Sequence, residues 1–119
     1  MISIVQTNKP FANCKGKTGV YIYFDNDVPV YVGSAGRKVQ DLKERLEQYS
    51  SEGDSGATLR INICKMDNCS AKDAVEKISK FTIKTIICGR NNSSDYGNVD
   101  KLEKILVKLL QPKYNSRLK

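Results

Sequence analysis

The sequence predicts an α+β fold, on three observations: two short alternating runs joined by an Asp/Asn turn, later segments with the spacing of amphipathic helices, and a composition fit for a hydrophobic core. Of 119 residues, 39% are hydrophobic and 28% charged, which is ordinary globular usage. At that length a second core would leave each half near the lower limit for folding unaided, so residues 1–119 read as one domain.

The elements follow in chain order. Met1 to Pro10 lacks the basic-then-apolar layout of a secretory signal, and no apolar run approaches the ~20 residues of a membrane span. The expectation is a soluble, cytoplasmic protein with no membrane partner. From Gly19 to Phe24, Val20, Ile22 and Phe24 lie on one side and Tyr21 and Tyr23 on the other, the period of a strand. Asp25-Asn26-Asp27 supplies a turn. Val28 to Gly33 then alternates again, with Val28, Val30 and Val32 opposite Tyr31, as a hairpin partner does. Tyr21 and Tyr31 thus project from the side that is not purely aliphatic, which argues against plain core filling.

Gly33-Ser34-Ala35-Gly36 breaks the strand, and a helix is predicted from about Val39 to Tyr49, with Leu42, Leu46 and Tyr49 as its apolar stripe and Arg45 at the border. After the polar loop Ser50 to Gly56, the stretch Thr58 to Met66 sets Leu59, Ile61 and Ile63 against Arg60, Asn62 and Cys64, and predicts a third strand. Ser70-Ala71-Lys72-Asp73 has the form of a helix cap. The helical period behind it runs to about Ile86, with the β-branched stretch Thr82 to Ile87 as a competing short strand. Gly89 to Asn98 reads as an Asn/Ser/Gly-rich loop carrying Arg90 and Asp95. The last helix spans Asp100 to about Leu110 and is ended by Pro112. Residues 67–99 therefore read as a helical and loop insertion before it.

On that last helix the leucines, Ile105 and Val107 define an apolar arc, and Lys101, Lys104 and Lys108 occupy the remainder. Glu103 breaks the pattern, because its direction falls between those of Leu110 and Val107. A carboxylate there is costly unless paired, protonated or bound to a metal. The competing reading is a glutamate in the first helical turn that reaches solvent.

Charge and residue types bound the chemistry. Lysine and arginine number 20 against 13 acids, a net charge of +7, and such a surplus suits a polyanionic partner. There is no histidine, so acid–base work falls to carboxylate, tyrosine, lysine or metal-activated water. Cys14, Cys64, Cys69 and Cys88 include no C-x-x-C pair; they read as four reduced thiols rather than a zinc site or a disulfide framework.

Taken in order, Gly19-Val20-Tyr21, nine intervening residues, Tyr31-Val32-Gly33, Arg45 on the next helix, and Glu103 twelve positions before Asn115 resemble the GIY-YIG nuclease superfamily. Single triplets of this kind are weak signals, whereas five elements in order on a hairpin, a helix and a terminal helix are strong. The resemblance covers about residues 18–66 and 100–115. Asp41-Leu42-Lys43-Glu44-Arg45-Leu46 with Tyr49, and the stretch Gln111-Pro112-Lys113-Tyr114-Asn115, are similar to the nuclease domain of the bacterial excision-repair incision subunit.

The resemblance implies a three-stranded antiparallel sheet flanked by helices, and a metal-dependent endonuclease that hydrolyses phosphodiester bonds in double-stranded or branched DNA. It implies that Glu103 holds one divalent cation, magnesium or manganese, and that Arg45 faces the charge building on the phosphoryl oxygens. Tyr21 would serve as general base toward the attacking water, with Tyr31 sharing its hydrogen bonds and Tyr49 in support. Asn115 would orient the site, and Gly19 and Gly33 would permit close approach. Ser34 stands where many relatives carry a lysine, a charge that Lys38 or Lys43 would replace. Gly33, Ser34, Lys38, Lys43 and Arg90 are thus the candidate substrate contacts, and specificity would come from loops, a homo-oligomer or a protein partner. Two other readings stay open: a catalytically inactive nucleic-acid-binding domain on the same scaffold, and a basic protein-interaction module with structural tyrosines.

Overall fold

The computed structural model describes residues 3–35, 41–49, 58–90 and 93–115. The hairpin forms, with one departure from the expected alternation: the register shifts between Tyr23 and Phe24, and Val30 packs in the tyrosine core while Val32 packs in the other. Strands β2 (Lys17–Asp25) and β3 (Val28–Ala35) are joined by Asn26 and Asp27, both left-handed at φ 50° and 67°. These two residue types tolerate that conformation, which matches the twist of a tight hairpin. Tyr21 stands opposite Gly33, and Val20 opposite Ser34.

The sheet has four antiparallel strands in the order β1-β4-β2-β3, not three. Strand β1 (Ser3–Thr7) is short and lies at an edge, with Ile4 left 69% exposed, so it carries little of the pattern that marks a strand. What fixes it is pairing with β4 (Thr82–Arg90), including a buried 2.7 Å hydrogen bond between the hydroxyls of Thr7 and Thr85. Strand β4 is central, and the β-branched competitor to the helix is the one that forms. Helix α3 (Ala71–Lys80) stops at extended Phe81, because Thr82 to Ile87 buries side chains on both faces of the sheet, which a helix there would forfeit. Residues 67–99, expected as an insertion, supply this central strand.

Thr58 to Met66 is helical, within α2 (Thr58–Asp67), and not a strand. Its apolar run fits either period, and burial decides: Leu59 and Ile63, one turn apart, are fully covered while Ile61 faces out. Helix α1 (Leu42–Gln48) starts three residues later than the expected Val39, at an Asp41 N-cap that forms a capping box with Glu44. Helix α4 (Ser93–Leu110) begins well before Asp100 and absorbs much of the expected loop. Glu103 consequently lies in the body of an 18-residue helix, which removes the first-turn reading.

Both faces of the sheet are packed. Tyr21, Tyr23 and Tyr31 sit in the larger core with Leu42, Leu46 and Tyr49 of α1, Leu59 and Ile63 of α2, and Ala74 and Ile78 of α3. Val20, Ile22 and Val32 meet Val99, Leu102, Leu106 and Val107 of α4 on the other face. The tyrosine side is therefore core after all, because a second helical layer covers it. The apolar arc of α4 is only partly used, since Ile105 and Leu109 remain 53% and 74% exposed. The four cysteines are free thiols, and among the described residues no helix is long and apolar enough to cross a membrane.

Candidate active site at the edge of the sheet

Tyr21 points into the helical core, and a glycine lets it do so. A Cβ on Gly33 would run into Cζ and Oη of the Tyr21 ring, so the ring lies across its cross-strand neighbour at the position a side chain would take. Strand β3 is an edge strand, so Tyr21 reaches over that notch toward the open side of the sheet. Gly19 serves a separate contact, with the backbone carbonyl of Ile86 on β4.

Helix α1 brings two further groups to the same hydroxyl. Its Asp41 cap accepts from the backbone N–H of Gly16 at 2.7 Å, which ties the helix start to the chain ahead of β2. Arg45 then donates from Nε to Tyr21 Oη at 3.3 Å, and the Tyr49 hydroxyl lies 2.7 Å from that oxygen. The guanidinium also covers the Tyr49 ring at 5.8 Å and donates to Gln48 at 3.2 Å. Tyr31 completes the cluster, its ring 6.4 Å from that of Tyr21.

These tyrosines are buried, and that sets their charge. Burial, with Tyr31 adding, holds the Tyr21 phenol well above its usual range, while Arg45 and the Tyr49 hydroxyl offset part of the shift. Burial raises Tyr49 and Tyr23 likewise. For Arg45, burial works against the charge, but the surrounding tyrosine oxygens outweigh it and its pKa rises. Tyr21, Tyr23 and Tyr49 therefore rest as neutral phenols beside a fixed cation.

The carboxylate arrives from the opposite face. Glu103, half-buried on α4, accepts a 2.5 Å hydrogen bond from the Ser34 hydroxyl. Ser34 directly follows Gly33, so two consecutive residues of β3 carry the Tyr21 notch and the Glu103 contact. Asn115 docks against the same strand: its side chain accepts from the Val32 N–H and donates to the Val32 carbonyl, both at 2.9 Å.

The structure thus gathers Tyr21, Tyr31, Arg45, Tyr49, Gly33, Ser34, Glu103 and Asn115 around β3. Lys43 is not among them. Lys43 turns to Glu47 at 2.8 Å on the exposed side of α1, the side chain of Arg90 at the end of β4 lies outside the described residues, and so does Lys38. Gln48 and Asp41, which hold Arg45 and α1, had no distinguishing signal in the sequence. For a cation the donor set is lean: among the described residues no three carboxylate or thiol groups cluster. One carboxylate beside a hydroxyl suits a hard ion that keeps most of its waters and takes phosphate oxygens, as magnesium does.

An antiparallel sheet with an alternating tyrosine hairpin, helices on both faces, and an acid delivered to the hairpin's outer strand is the GIY-YIG fold. Among solved structures, the chain is similar to the GIY-YIG N-terminal endonuclease domain of UvrC from Thermotoga maritima bound to its catalytic divalent cation, magnesium. The identity is 25% and the TM-score 0.54, over 86% of each chain. Two tyrosine-to-phenylalanine point mutants of that domain, each bound to its catalytic divalent cation, match at 24% identity with TM-scores of 0.52 and 0.54, again over 86% of each chain. No protein-family model matches the sequence, and no curated protein does.

Proposed function

We propose that this chain is a divalent-metal-dependent endonuclease that hydrolyses phosphodiester bonds in DNA, as a single domain over residues 1–119. One observation carries the reading: Glu103 from one face, and Tyr21 with Arg45 from the other, meet the edge strand at the adjacent residues Ser34 and Gly33. Phosphodiester hydrolysis needs a cation site, a charge stabiliser and a proton acceptor close together. The likeness to a cation-bound endonuclease domain supports the same reading.

Glu103 would hold one magnesium or manganese ion, with Ser34 steadying the carboxylate. When bound, the ion supplies Lewis-acid polarisation of the phosphorus and neutralises leaving-group charge. Arg45, with its Nε on Tyr21 and one terminal nitrogen on Gln48, offers its remaining N–H groups to the phosphoryl oxygens. Tyr21 takes the proton of the attacking water as a tyrosinate. Burial opposes that anion, and Arg45, Tyr49 and the positive charge of the loaded site favour it. Asn115 fixes Val32 of β3 beneath these groups.

The net charge of +7 suits double-stranded or branched DNA, with specificity drawn from loops, a second copy or a protein partner. The decisive experiment incubates pure protein with supercoiled plasmid in magnesium, in manganese, and in chelator. Nicking or linearisation only with metal is the expected outcome. DNA retardation without any cleavage in either metal would leave a nucleic-acid-binding domain on this scaffold.

A further inference from the structure

The segment after α4 is held at more points than Asn115 alone provides. Past Gln111, at φ 45°, the chain doubles back along the outer edge of β3. The Tyr114 N–H donates to the Val30 carbonyl at 2.8 Å, and the Asn115 carboxamide takes both backbone groups of Val32. The Val30 carbonyl and both backbone groups of Val32 therefore face the outer edge, away from β2, and the hook satisfies them as an added strand would. Ser34 lies two residues beyond Val32 on the same strand.

A hook of four residues has little hold of its own, and helix α2 supplies the rest. Buried Asn62 donates to the Tyr114 carbonyl at 2.7 Å, while the Tyr114 hydroxyl donates to Asp67 at 2.6 Å. Asp67 is steadied in turn by Lys77 at 2.9 Å and Lys113 at 3.4 Å. Tyr114 is therefore gripped at its N–H, its carbonyl and its hydroxyl, one residue before Asn115. A buried side chain with several satisfied polar contacts adopts one orientation.

We propose that Asn62 and Asp67 are positioning residues for DNA cleavage: they clamp Tyr114, lock Asn115 onto Val32, and thereby fix the strand edge on which Gly33 and Ser34 meet Tyr21 and Glu103. The inference rests on the endonuclease reading. Both act through the hook, by way of Tyr114. Displacement of reacting groups by an ångström is enough to slow a reaction strongly.

The test uses the full chain and two independent readouts. Amide hydrogen exchange by NMR follows the Val32 N–H and the Asn115 side-chain protons, and plasmid cleavage in magnesium gives kcat and KM. Asn62→Ala and Tyr114→Phe should each speed exchange at those protons by about tenfold or more through local opening. They should lower kcat by roughly tenfold with KM little changed. Asp67→Asn, which still accepts the Tyr114 proton, should keep most of the protection. Ser70→Ala, which weakens the cap of α3 away from the hook, should leave both readouts at parent values. Should Asn62→Ala fail to fold, Tyr114→Phe decides, since it removes a single oxygen. Parent-like exchange in Tyr114→Phe overturns the clamp, and lost protection with unchanged kcat overturns its role in cleavage. A parent that never cuts DNA defeats the endonuclease reading instead, which the exchange data keep distinct from failure of the clamp.

Discussion

The two faces of the sheet bury side chains of different character. One carries five tyrosines, with an arginine at its border, under three helices; the other is mainly aliphatic under a single helix, with one carboxylate at its margin. An acid and a cation that shared one face would pair and neutralise each other. Separated by the sheet, Glu103 and the Tyr21–Arg45 pair approach β3 from opposite faces, at the adjacent residues Ser34 and Gly33. The edge strand is thus the meeting point of two cores.

The largest expected effect comes from breaking the aliphatic side. Glu103→Ala should reduce plasmid cleavage to background while DNA retardation survives, because the residue lies at the margin of its core. Full activity in that variant would remove the metal assignment. On the tyrosine side, Arg45→Ala and Tyr21→Phe should each slow cleavage by on the order of 10²-fold. Tyr21→Phe should also flatten the rate's rise with pH, because the Tyr21 phenol is raised and its anion is scarce at neutral pH. Near-normal turnover in both variants would remove Arg45 and Tyr21 from the cleavage machinery.

A middle-sized effect separates packing from chemistry. Gly33→Ala forces a methyl group into the Tyr21 ring, and overpacking of this kind costs about 1–3 kcal/mol; calorimetry and cleavage should therefore fall together. Ser34→Ala, which only frees Glu103 from one partner, should leave the melting temperature nearly unchanged. Equal stability of Gly33→Ala and parent would mean that the notch is not needed.

The smallest effects are on stability. In metal-free buffer Glu103→Gln should be at least as stable as the parent, since it keeps shape and sheds a charge on a sheet-facing arc. Magnesium should then raise the melting temperature of the parent alone. A Glu103→Gln variant that melts below the parent in chelator, with a parent indifferent to magnesium, would make the carboxylate structural. Alkali should act on the tyrosine face only. The raised phenols keep their protons longer folded than unfolded, so their contribution is intact below the ordinary pKa of 10.0 and is lost as pH climbs toward the raised values. Tyrosine circular dichroism followed above that pH should track unfolding.

Much of the site was readable from the sequence because its signals are local. The hairpin period, the turn at Asn26 and Asp27, the apolar stripe of the helix bearing Arg45 and the odd carboxylate on an apolar arc each need only a dozen neighbouring residues. What escaped depends on contacts made at a distance. Strand β1 exists through its pairing with β4, and Thr58 to Met66 is a helix because Leu59 and Ile63 are buried one turn apart while Asn62 finds Tyr114. The burial of the tyrosines needed knowledge of the helices above them, and the Asp67 clamp joins residues 47 positions apart.

Strand order also governs when the molecule can exist. β4 lies between β1 and β2, and the Thr7–Thr85 bond closes a span of 78 residues, so the sheet cannot be completed during synthesis until Arg90 has emerged. Closures that long are slow, and an unpaired strand edge invites other partners meanwhile. The early hairpin holds Tyr21, Tyr23 and Tyr31 but neither Glu103 nor Asn115, which follow much later in the sequence. A nascent chain that has not yet reached α4 therefore carries the tyrosine cluster without the carboxylate that meets it at β3.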